Sequence, residues 1–151
     1  MNKTVILSVL CIHLGACTST DTSQTASLEQ AKYIDLTSDS KNQLLAQYWV
    51  SKKRVEPLYP IDAAKSRLSG CVDLVVGINS DGTWHLHKVK KSYPQGVFDK
   101  PTFAALSKWR WKAAANNVEK LPVLTTIQMD FMIQGSKNKN EADTQCGFAN
   151  T

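Results

Sequence analysis

Histidine and cysteine are the residue types here whose spacing could support chemistry. His85 and His87 stand two apart, so on a strand both imidazoles would project from one face, where they could share a metal ion. The third histidine, His13, lies in an apolar N-terminal stretch, and no carboxylate is placed by the sequence to complete a site. A polar strand face is the simpler reading, and no metal is expected. The four cysteines, Cys11, Cys17, Cys71 and Cys146, contain no C-x2-C pair to hold zinc. No nucleophile–base set, phosphate loop or carboxylate pair stands out. The expectation is a protein without enzymatic activity or cofactor.

Cys17 carries a different chemistry. Lys3 supplies a positive charge, residues 5–14 form an apolar run, and the run closes on Leu14-Gly15-Ala16-Cys17. Ten helical residues span about 15 Å, roughly half the hydrocarbon thickness, so the run reads as an export signal and not as a membrane anchor. Its end resembles the bacterial lipobox, in which small residues admit the signal peptidase and the cysteine thiol takes the diacylglyceryl group. The alternative is an ordinary cleaved signal with an incidental Cys17. The lipobox reading makes residues 1–16 a signal peptide, Cys17 the lipidated anchor and the compartment oxidising. Thr18 stands where an Asp would mark inner-membrane retention in enterobacterial sorting, so by that resemblance the outer membrane is favoured.

The elements that would position any binding site lie further along. A chain of 151 residues allows one ordinary domain. Its 18 Lys and Arg against 13 Asp and Glu give a charge of +5, too mild for a dedicated nucleic-acid binder, and its 42% apolar content excludes wholesale disorder. Residues 17–43 are rich in Ser, Thr, Gln, Asn and Asp and read as a flexible tether, with a weak helical turn conceivable over 27–36. The domain is expected over residues 44–134. Pro57-Leu58-Tyr59-Pro60 is extended, and Pro60 opens a short helix, 61–68, ending at Gly70. Val72, Leu74, Val76 and Ile78 alternate with Cys71, Asp73, Val75 and Gly77 as on a half-buried strand. Asn79-Ser80-Asp81-Gly82 turns the chain into a return strand, 84–91. Asp99 and Pro101 start a helix predicted to reach Trp111, and residues 123–133 alternate as a long last strand. The order αββαβ predicts an α+β fold, a three-stranded antiparallel sheet with two helices packed on one face.

Arg54-Val-Glu-Pro-Leu-Tyr-Pro60, Ala63, Gly70-Cys-Val72, Asp81-Gly82, Ser92, Pro94, Gly96-Val-Phe-Asp99, Ala104-Ala105, Trp109-Arg-Trp-Lys112 and the closing strand together resemble the TonB C-terminal domain. The likeness runs from residue 54 to about 134. It implies a periplasmic domain that binds envelope proteins, including the peptide segments of outer-membrane transporters, by adding a guest strand to an open sheet edge. In that family the accepting strand is the last one, which implies that Leu124, Thr126, Gln128 and Asp130 flank the guest. Glu56 and Tyr59 become partner-contact candidates, although Glu56 replaces the family's Gln and Tyr59 also suits a packing role. The family's transmembrane helix and proline-rich rod have no counterpart in this reading, so a lipid-anchored interaction domain is expected and not an energy transducer. The alternative is a structural envelope protein that contacts peptidoglycan or self-associates as a homodimer through the sheet edge.

Cys71 opens the first long strand, and Cys146 lies in the tail, residues 135–151. If the first and last strands are antiparallel neighbours, these thiols approach, and a disulfide would pin the tail to the sheet. Two free thiols are the alternative. Lys52, Lys53, Arg54, Lys88, Lys90 and Lys91 read as solvated basic faces that could attract anionic peptidoglycan or lipid headgroups. Of Trp109 and Trp111, one is expected in the core.

Overall fold

The computed structural model describes residues 32–148, with strands β1 (Ile34–Asp35), β2 (Trp49–Lys53), β3 (Gly70–Ile78), β4 (Trp84–Tyr93), β5 (Arg110–Ala113) and β6 (Val123–Phe131). Its helices are α1 (Asp39–Asn42), α2 (Leu45–Tyr48), α3 (Ile61–Ser66), α4 (Asp99–Leu106) and α5 (Lys139–Cys146). Strand β3 lies between β4 and β6 and is antiparallel to both, in a sheet of order β1-β6-β3-β4. Strands β2 and β5 form a separate antiparallel pair.

Alternation along β3 becomes two buried faces. Val72, Leu74, Val76 and Ile78 have no exposed surface and join Ala63, Phe98, Ala105 and Leu106 in the main core. The α+β arrangement, with α3 and α4 contributing to one core beside an antiparallel β4-β3-β6 unit, is therefore as predicted. On the other face Cys71 and Val75 are also buried, because α5 brings Ala142 and Cys146 there. A Cys71–Cys146 disulfide fixes α5 across the sheet, with the Cα atoms 5.7 Å apart. The disulfide expected to pin the tail is formed, and the pinned segment is a helix, which the sequence reading does not anticipate.

Three elements differ from the sequence reading. The helix predicted to run to Trp111 stops at Leu106, and Arg110–Ala113 instead pairs with β2. Trp109 and Trp111 are both buried, and side chains two apart diverge on a helix but share one side of an extended chain. Burying two indoles therefore selects the extended form. Each finds a place: Trp111 stays in the core, and the Trp109 Nε1–H donates to the Val55 carbonyl at 2.8 Å. Second, the sheet gains a fourth strand, since Ile34–Asp35 pairs in parallel with the start of β6. Residues 33–42, expected in the tether, dock because Leu36 buries its side chain in the core and the β6 edge offers backbone partners. Third, the β3–β4 pairing shifts register twice, between Asp73 and Leu74 and between Val75 and Val76, so β4 does not keep a strict period of two.

The β3–β4 turn needs its glycine. Gly82 has φ +77°, and a Cβ there would sit 2.2 Å from the Trp111 carbonyl oxygen. That carbonyl approaches because the Trp111 N–H donates to the Gly82 carbonyl at 3.0 Å, which ties the turn to β5. Asp81 secures the same turn by accepting from the Thr83 N–H (2.8 Å) and hydroxyl (2.6 Å), and these bonds hold its carboxyl below the usual aspartate range.

Candidate functional site

Two strands border the sheet's long edges, and they are unequal. Strand β4 is interrupted by its two register shifts and carries exposed Lys88, Lys90 and Lys91, features that discourage strand pairing. Lys90 pairs with Asp73 at 3.1 Å, and the Lys91 ammonium donates to the Gln145 carbonyl of α5. Strand β6 pairs with β3 without a shift from Val123 to Phe131, which leaves its far edge regular.

Strand β1 shows which main-chain groups face that edge. The Ile34 and Leu36 N–H groups donate to the carbonyls of Pro122 and Leu124 at 3.0 and 2.8 Å. The even-numbered residues of β6 therefore point their backbone away from β3. After Leu36 the chain leaves the edge. The Asp35 carboxylate accepts from the Thr37 N–H at 2.9 Å in a local turn, and α1 follows. The Thr125 hydroxyl is bonded to the Asn42 side chain at 2.5 Å, which closes this end of the edge. Beyond it, the N–H and C=O groups of Thr126, Gln128 and Asp130 have no backbone partner among the described residues.

The four predicted edge residues fare differently. Leu124 is 1% exposed, and β1 occupies its backbone, so it lies beneath the occupied end and does not flank an open one. Thr126 is half-buried, and Gln128 and Asp130 are exposed. The Gln128 amide donates to the Asp130 carboxylate at 2.8 Å and to the Cys146 carbonyl at 2.9 Å. The C-terminal end of α5 therefore stands beside the edge, held there by the disulfide. Sequence reasoning anticipates the bond but not this position, because the helix offers only a weak periodic signal.

Glu56 and Tyr59 lie in the extended segment that leads into α3. Glu56 is exposed, 3.5 Å from the Arg54 guanidinium, which stacks over Trp109. Tyr59 packs edge-on against Phe98 and Phe131, which stack on each other with centroids 4.3 Å apart. Its hydroxyl donates to the Leu68 carbonyl at 2.5 Å. Burial raises the pKa of this phenol, partly opposed by a hydrogen bond with Ser69. Tyr59 is thus built into the aromatic core. The His85 ring lies over Gly77, where a Cβ would fall 2.3 Å from it, and meets the Tyr33 ring at 5.3 Å. Among the described residues, no three His, Cys, Asp or Glu side chains gather into a metal site, and no helix is long and apolar enough to cross a membrane. Cys17 lies outside the described residues.

A family model described as the Gram-negative bacterial TonB protein C-terminal matches residues 55–133, just over half of the chain. Among solved structures, the solution NMR structure of the Pseudomonas aeruginosa TonB CTD is similar in fold, with a TM-score of 0.50 and 22% identity. The likeness covers 66% of this chain and 93% of that one. Comparison with curated proteins found no match.

Proposed function

Because the chain belongs to the TonB C-terminal family, whose domains are protein-interaction modules of the periplasm, we propose that it binds envelope proteins by accepting an extended segment along the free part of β6. The observation that carries this reading is the run of main-chain groups at Thr126, Gln128 and Asp130 that have no backbone partner among the described residues, on an otherwise regular strand. Backbone pairing supplies affinity in such an addition, and neighbouring side chains supply selectivity. Each main-chain bond contributes about 1 kcal/mol net, so an edge this short makes a weak, exchangeable contact. The position of β1 supports the mechanism, since the chain already adds one strand of its own to the same edge.

In this reading Cys17 carries the lipid, and the domain faces the periplasm from the outer membrane. Outer-membrane transporters are the partners suggested by the family. The chain acts as a receptor for their segments and not as the energy transducer. Self-association through the same edge is the competing use.

A photo-crosslinking residue at Thr126 or Gln128, in cells expressing the full chain, tests the edge. The expected product is a discrete adduct with an envelope protein, lost when Thr126→Pro removes an outward N–H without touching the β3 ladder. No adduct from either position would remove the reading's main support, and an adduct with a second copy would transfer the edge to self-association. Radiolabelled palmitate incorporated into the chain, but not into Cys17→Ala, is the expected result for the anchor.

A further inference from the structure

We propose that the outward face of the β2–β5 ribbon, with the loop 114–121 beside it, docks on an anionic lipid bilayer. Trp49 and Trp111 bury their indoles in the core, so Val50, Arg110 and Lys112, at alternate positions, point the other way. Val50 stands opposite Lys112, and Lys53 stands opposite Arg110. Like charges directly opposed across an antiparallel pair destabilise it. Here Lys53, Arg110 and Lys112 are all exposed, and the charge is not neutralised within the protein. Residues 49–56 and 108–113 hold six basic side chains and one acid, Glu56, which pairs with Arg54 at 3.5 Å. Lys52, Lys53, Lys108 and Lys112 have no ion pair among the described residues. Asp81 interacts with Arg110, but its carboxylate is bonded to the Thr83 N–H and hydroxyl. Two of the three β4 lysines are engaged instead, Lys90 by Asp73 and Lys91 by the Gln145 carbonyl. The ribbon is thus the basic face left for an anionic partner.

Apolar surface beside the cations selects a bilayer over a soluble polyanion. Val50 joins Ala46, Ala113 and Ala114 in an open cleft next to Lys112. Val118 is 83% exposed and Leu121 39%, with Glu119 and Lys120 between them. This loop is held to the start of the ribbon. The Trp49 Nε1–H donates to the Leu121 carbonyl at 2.9 Å, and the Asn117 amide donates to the Tyr48 carbonyl at 3.0 Å. Cations around exposed apolar side chains match a headgroup layer over acyl chains, where lysine stems lie on apolar surface and the ammonium stays in water. The Ile34 N–H donates to the Pro122 carbonyl, so the chain leading back to Cys17 joins the domain beside the same loop. Only that last point draws on the lipid at Cys17.

Lysine footprinting tests the face on the full chain carrying Cys17→Ala, so that no acyl group contributes. The chain meets a water-soluble acetylating reagent beside vesicles of phosphatidylglycerol mixed with phosphatidylcholine, or of phosphatidylcholine alone. Lys52, Lys53, Lys112 and Lys120 should be shielded severalfold by the anionic vesicles only, with Lys88 and Lys139 unchanged. The shielding should fade at about 1 M salt, where the Debye length is about 3 Å. Arg110→Gln with Lys112→Gln, both at exposed positions, should raise the lipid concentration that half-shields Lys53 by about 25-fold, from roughly fivefold per cation near such a surface. Lys53 and Lys112 as reactive beside anionic vesicles as in buffer would overturn the proposal, and so would equal shielding by neutral vesicles. Shielding by purified peptidoglycan but not by the anionic vesicles would assign the ribbon to that polymer and overturn it too. Crosslinks from Thr126 and Gln128 have no part in this readout, so this reading and that of β6 can fail separately.

Discussion

Replacing both Cys71 and Cys146 with alanine should destabilise the domain by about 4 kcal/mol and release α5 from the sheet. The magnitude follows from the loop. The bridge joins residues 75 apart, and confining the unfolded chain to that loop corresponds to about 4.5 kcal/mol of chain entropy at about 25 °C. Such a loss is a large fraction of the roughly 5–15 kcal/mol available to a typical domain. The local effect has its own arithmetic. Helix α5 has 8 residues, too few to persist alone. Without the bond it keeps the buried Ala142 and polar contacts from Gln128, Lys91 and Tyr93, each worth about 1 kcal/mol or less where exposed. Alanine is chosen because Cys71 has no exposed surface and serine would bury a hydroxyl there. Urea denaturation measures the global term. Native-state hydrogen exchange at the Ala142 and Gly147 amides, which are bonded to the Asn138 and Asp143 carbonyls, measures the local one. Both should change, with the α5 amides losing protection under conditions where the β3 amides keep theirs. A variant within about 1 kcal/mol of the parent that retains α5 protection would refute the loop-entropy argument.

Other outcomes follow from the same contacts. Phe131→Ala, which removes one half of the stack with Phe98 and the contact with Tyr59, should cost about 3–5 kcal/mol in urea denaturation. Gly82→Ala and Gly82→Asn should be similarly destabilised by more than about 1 kcal/mol, because the clash with the Trp111 carbonyl adds to the positive φ; rescue by asparagine would mean that conformation alone matters. The depressed Asp81 carboxyl adds stability that is complete above about pH 4 and is lost as pH falls through its lower folded value, so Asp81→Asn should flatten the acid limb of a pH-stability curve. The raised Tyr59 phenol makes stability fall as pH climbs above about 10, so Tyr59→Phe should weaken that alkaline limb while losing about 1 kcal/mol at neutral pH with the bond to Leu68.

Elements with strict local periodicity are legible in the residues alone. Val72, Leu74, Val76 and Ile78 identify β3 because a period of two with one apolar face has no equally good helical solution. Proline and glycine mark the start of α3 and the β3–β4 turn for similarly local reasons. The chain from Leu106 to Arg110 reads as helix because its residues also suit one, and only the joint burial of Trp109 and Trp111 against β2 selects the extended form. At the candidate edge, Thr126, Gln128 and Asp130 are legible as one alternating set, and Leu124 belongs to that set by periodicity alone. Its main chain is taken by β1, a segment about 90 residues earlier whose polar surroundings conceal the apolar Ile34 and Leu36 that dock on the core.

The sequence by itself determined the family, the alternating strands and the pair of cysteines able to meet, because each is written in short-range spacing or in an ordered set of motifs. Tertiary structure decided which edge is open and how much of it. Neither follows from a strand's own residues. An edge is free only where no other segment supplies hydrogen-bond partners, and here β3, β1 and α5 jointly leave Thr126, Gln128 and Asp130 as the exposed length.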